Sequence, residues 1–207
     1  MDERVRLAGE LFQRAIFRGE YDGLTVADRE LDAAEAELAI ARGKVLHGRF
    51  LETRTEDPRE LGLFERALAL FQAMDDVRGQ AQALFWIGCF HQVVRGDAEP
   101  AVEALTRSRE LAEKTGDQLT LSYALRHLGI AAHLAGNLDE ARTLLEQSTA
   151  LRRTLGFTAG VAANLVGLIY LSTGDEARAL ADEAATLAAS VGASTITAQI
   201  EEARSQL

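Results

Sequence analysis

Three side chains able to bind a metal or act as nucleophile and base, His47, Cys89 and His133, lie far apart along the chain. A metal site or a Cys–His pair would need them to converge. No local spacing motif supports this, because the chain has no nucleophile elbow, P-loop, dinucleotide fingerprint or His-Glu-x-x-His run. The residues three positions before His47, His91, His127 and His133 are Lys44, Gly88, Ala124 and Ile130, so no Glu-x-x-His pair for a di-iron bundle exists. The triplet Arg95-Gly96-Asp97 resembles an adhesion motif, but it falls where a turn between two helices is expected. Asp28, Glu30, Asp32, Glu35 and Glu37 offer paired carboxylates; on a long helix such a string reads as the solvated face. Arg107, Arg109, Lys114, Arg152 and Arg153 read as surface charges near helix C-termini, where they oppose the helix dipole. The residues therefore predict no catalytic group, no metal and no cofactor.

The elements that must position these side chains follow from composition. The chain has 207 residues, about a third of them Ala or Leu and only 2 of them Pro, a bias toward helix. Hydrophobic residues at 47% and charged residues at 26% give a globular balance. The net charge of −10 argues against a nucleic-acid partner, which would require a basic face. Cys89 is the one cysteine, so no intrachain disulfide forms and a reducing compartment is expected. The first twenty residues lack the apolar core of a signal peptide, and no apolar run is long enough to span a bilayer. A cytoplasmic location without membrane contact is the expectation.

Internal similarity sets the organisation. Phe85-Trp86-Ile87-Gly88, Arg126-His127-Leu128-Gly129 and Asn164-Leu165-Val166-Gly167 each end in an aliphatic residue and Gly. Each is followed by a second Gly (Gly96, Gly136, Gly174) and then by Asp97, Asn137 or Asp175, all suited to cap a new helix. Asn137 with Glu140 fits a capping box. Ala101, Ala141 and Ala179 then supply small residues facing Gly88, Gly129 and Gly167, with one extra residue in the first unit. Gly116, Gly156 and Gly192 fit left-handed C′ positions. Each unit thus reads as helix A, turn, helix B, turn. Helices this short are marginal alone and gain stability by stacking.

The N-terminal third is less regular. A helix is expected from about residue 2 to 18, followed by one long helix from about 26 to 51, where Phe50 replaces the expected turn glycine. Asp57-Pro58-Arg59-Glu60 reads as a helix start. A last, polar helix is expected over about 195–205. The resulting organisation is 1–78 for N-terminal helices with a degenerate first repeat, 79–192 for three repeats and 193–207 for a C-terminal cap, all in one continuous domain.

The Gly, Gly-Asp/Asn and Ala pattern, clearest in Gly129-x6-Gly136-Asn137-Leu138-Asp139-Glu140-Ala141, resembles the tetratricopeptide repeat, and especially the longer-unit variant of bacterial regulatory proteins. The resemblance implies an all-α fold, a right-handed α-α superhelical solenoid of about four helix pairs with capping helices. It also implies that helix A residues flanking each Gly line a concave groove. Carried over by position, these are Lys44 and His47; Phe85, Cys89 and Gln92; Tyr123, Arg126, Ile130 and His133; and Asn164, Leu168 and Leu171. Trp86, Phe90 and Tyr170 read as core. The carboxylate-clamp pattern of chaperone-binding members is absent. The function expected is a non-enzymatic, regulatory scaffold that binds a protein or peptide. The alternatives are a small-ligand sensor or enzyme with a pocket closed by the N-terminal helices, and a homodimer paired through exposed end helices.

Overall fold

The computed structural model describes residues 2–207, and every regular element among them is helical. The helices are α1 (Glu3–Arg18), α2 (Leu24–Thr53), α3 (Glu60–Ala73), α4 (Val77–Phe90), α5 (Ala98–Thr115), α6 (Gln118–Leu134), α7 (Leu138–Thr154), α8 (Thr158–Ile169), α9 (Gly174–Ser190) and α10 (Ser194–Arg204). The fold is all-α and tetratricopeptide-like, with consecutive helices packed as pairs. The chain divides into two compact units, the first ending at Asp97 and the second comprising Ala98–Leu207.

In the first unit, Asp2 caps α1 by accepting from the Arg4 backbone N–H, and Gly19 closes it in the left-handed conformation. The 30-residue α2 runs without a break because neither Gly nor Pro stands where a turn would form. Its inward face carries Ala36, Ala39, Ile40 and Gly43 against Phe64, Ala67 and Phe71 of α3. Gly43 is required by contact, since a Cβ there would meet the Phe64 ring at 2.3 Å. Trp86 stacks on the other side of this core, 5.7 Å from Phe64 at an interplanar angle of 18°. α4 continues into a π-helical turn, His91–Arg95, closed by Gly96. That turn takes up the extra residue that sets this unit apart from the other two.

The second unit holds the two more regular pairs. Gly129 sits where a Cβ would lie 3.3 Å from the Ala141 carbonyl and 3.1 Å from Leu145, so α6 and α7 meet as the repeat pattern predicts. Gly88 and Ala101 are each buried in their own unit. The last pair departs from the expected register. Gly167 faces Leu145, not Ala179, which is exposed; Ala177 takes the buried place. The cause is local. α8 ends at Ile169, and Gly174 opens α9 after an extended Thr173, so the facing position moves two residues toward the N-terminus. Asp175 consequently lies in the first turn of α9, where it favours the dipole but is not the cap. Asn137 is at the N-cap of α7, yet its side chain makes no cap bond.

Two further expectations are corrected. Arg152 is not a surface charge but 2% exposed, and Tyr170 is not core but 42% exposed. Arg152 follows Ala141, Leu145 and Ser148 at spacings of one helical face, which turns it inward; Tyr170 lies in the turn beyond α8.

Candidate functional site

In the first unit, α2, α3 and α4 bring together three groups that the sequence separates widely. His47 Nδ1 is 2.8 Å from Glu60 Oε1, and His47 Nε2 is 3.7 Å from Cys89 Sγ. His47 is 6% exposed, Cys89 4% and Glu60 not at all. Two of the three candidate ligands therefore do converge; His133 belongs to the other unit. Glu60 completes the chain and was not foreseen, since its position suggested a helix-start residue. Instead Asp57 accepts from the Arg59 backbone and side chain, while Glu60 shares the inward stripe of Phe64, Ala67 and Phe71. That spacing was the available signal.

A thiol, an imidazole and a carboxyl in line have the connectivity of a nucleophile, base and orienting acid. The electrostatics oppose that use. Burial, aided by the Glu60 charge, pushes the Cys89 thiol up to about 12. Burial also raises the Glu60 carboxyl, although its bond to His47 acts the other way. A reactive cysteine needs the opposite environment, exposed and electropositive. Among the described residues, no group of three or more His, Cys, Asp or Glu side chains is placed to hold a metal.

Around this chain, Lys44 lies 5.3 Å from the Trp86 ring, and burial lowers its ammonium pKa. Phe85 is buried against Trp86, while Gln92 in the π turn is half-buried. In the second unit, Tyr123, Arg126, Ile130 and His133 recur along α6 at three- and four-residue spacing, and all four are half-buried. Asn164 and Leu168 of α8 are buried, and Leu171 is half-buried in the turn that follows.

Asn164 is the centre of a polar network. Its Oδ1 accepts from Arg126 Nη1 at 3.0 Å and from Arg152 Nη1 at 2.9 Å. Its Nδ2 donates to Ser148 Oγ, which in turn donates to the Ser122 carbonyl. Arg126 also donates to the Ala163 carbonyl at 2.7 Å, and Arg152 to that of Gly160 at 2.8 Å. Tyr123 and Phe157 flank the Arg152 guanidinium, with ring centroids 5.0 and 5.4 Å away. Burial draws both arginines down to about 10; for Arg152 the charge of Arg126 adds to the effect. Both remain cations at neutral pH.

Residues 80–154, which run from within α4 to the end of α7, match the family model for the tetratricopeptide repeat. No curated protein matches the chain.

Proposed function

From the premise that residues 80–154 are tetratricopeptide repeats, we propose that this protein is a non-enzymatic binding module for a protein or peptide. The ligand is received on the helix A faces, chiefly that of α6. One observation carries this reading: Tyr123, Arg126, Ile130 and His133 share one helix face and keep part of their surface accessible. They combine an aromatic ring, a guanidinium, an aliphatic surface and an imidazole, the mixture by which an extended peptide is held through side chain and backbone together. Within the first unit, Lys44 and Gln92 keep accessible surface of their own, while His47, Phe85 and Cys89 there, and Asn164 and Leu168 in the second unit, serve as buried supports. An enzyme reading would have to use the Cys89–His47–Glu60 chain, and a thiol held near 12 in the core is a poor nucleophile.

The test is selection of peptides from a displayed random library on the full chain, followed by affinity measurement on variants. Ile130→Asp and His133→Ala should each weaken the selected peptides by about tenfold or more, with melting temperatures near the parent's. Peptides that bind both variants as well as the parent would place the interaction elsewhere.

A further inference from the structure

The second unit draws two guanidinium groups inward, Arg152 fully and Arg126 in part, and no carboxylate bonds either of them. Arg152 is 2% exposed, and its Nη2 is buried without any acceptor. Arg126 commits Nη1 to the Ala163 carbonyl and Asn164 Oδ1, while among the described residues its Nε and Nη2 bond no acceptor and its side chain remains partly accessible. Among the described residues neither arginine enters an ion pair, and because both Nη1 atoms bond the same amide oxygen, the two cations are close neighbours. Removing two like charges from water without a counter-ion is unfavourable, and an incoming anion relieves that cost. The free Nε–Nη2 edge of Arg126 presents two parallel donors, the fork that grips an oxyanion. The flanking Tyr123 and Phe157 rings hold Arg152 in place beforehand.

We propose that Arg126 and Arg152 form a binding site for a doubly charged oxyanion, a phosphate group either free or carried on a ligand, entering along the α6 face. Two uncompensated cations favour a dianion over a single carboxylate. The inference rests on the reading of that face as ligand-contacting, and inorganic phosphate probes it without any peptide. The full chain is titrated calorimetrically and by thermal melting with phosphate, acetate and chloride at matched ionic strength. Phosphate should bind saturably and raise the melting temperature, acetate should bind at least about tenfold more weakly, and Arg126→Gln should weaken phosphate by about tenfold or more. Arg126→Lys keeps the charge and loses the fork, so it should fall between parent and Gln, and it is the variant read if Gln does not fold. No shift beyond chloride, equal binding of acetate, or full binding by the variants would overturn the proposal. Failure with phosphate while selected peptides still bind removes this site alone; the converse removes the peptide reading alone.

Discussion

Asn164 decides whether the polar interior of the second unit is tolerable. Its amide oxygen is the one acceptor common to both guanidinia, and its amide nitrogen ties the network to Ser148 and, through it, to Ser122. Asn164→Leu keeps the volume but leaves two buried cations each short of an acceptor. Breaking such a network should cost about 3 kcal/mol or more in urea denaturation. A loss near zero would mean that the carbonyls of Ala163 and Gly160 suffice. Cys89 tests the quiet reading of the other constellation. With its thiol raised from 9.0 to about 12, the native protein holds roughly a thousandfold less thiolate at neutral pH than an ordinary cysteine would. Alkylation by iodoacetamide should be far slower in the native state than at an ordinary cysteine and become fast in denaturant. Rapid native alkylation would revive the nucleophile reading.

At the scale of the helix, glycines separate contact from conformation. At Gly129 an added side chain meets the Ala141 backbone and Leu145, whereas at Gly62, on the exposed face of α3, a Cβ meets nothing within 4 Å. Gly129→Leu should therefore destabilise by about 1–3 kcal/mol, and Gly62→Ala should stabilise by about 0.5–1 kcal/mol, both read from denaturant midpoints. Similar effects at the two sites would mean that α6 and α7 do not meet where the structure places them. The same distinction explains what was legible in the sequence. Ends of α1, α2 and α10, and the left-handed turns at Gly96, Gly116, Gly136, Gly156 and Gly192, follow from local chemistry and are readable within a residue or two. The register of the last pair was not, because it depends on where α8 stops, and Gly174-Asp175 suits a helix start as well as a turn. Glu60 and Arg152 were missed for one reason. Each occupies one end of a four-residue inward stripe, Glu60 the first place of Glu60-Phe64-Ala67-Phe71 and Arg152 the last of Ala141-Leu145-Ser148-Arg152, but a charged residue near a helix end is ordinarily read as solvated. Lys44, Tyr123, Arg126, Ile130 and His133 could be picked out by position relative to the repeat glycine; the burial of Asn164 and Cys89 depends on neighbouring helices that position alone does not describe.

Across the whole molecule, each unit closes its own core: α2, α3 and α4 around Phe64 in the first, and α7, α8, α9 and α10 around Leu165, Ile169 and Ile200 in the second. In stacked repeats stability is a sum of unit terms and neighbour terms, so a local lesion spreads only as far as the coupling reaches. Gly129→Leu, placed in the second unit, makes that reach measurable. If it costs about 2 kcal/mol, amides protected by opening of α6–α9 should exchange about 30-fold faster under native conditions. Amides of α2–α4 should keep the parent's rates, because no contact in their core involves Gly129. Peptide-resolved hydrogen exchange by mass spectrometry reads both sets in one experiment. Equal acceleration in α2–α4 would show that the chain opens as one cooperative block, and a partner or anion bound at Arg126 would then stabilise the first unit as strongly as the second.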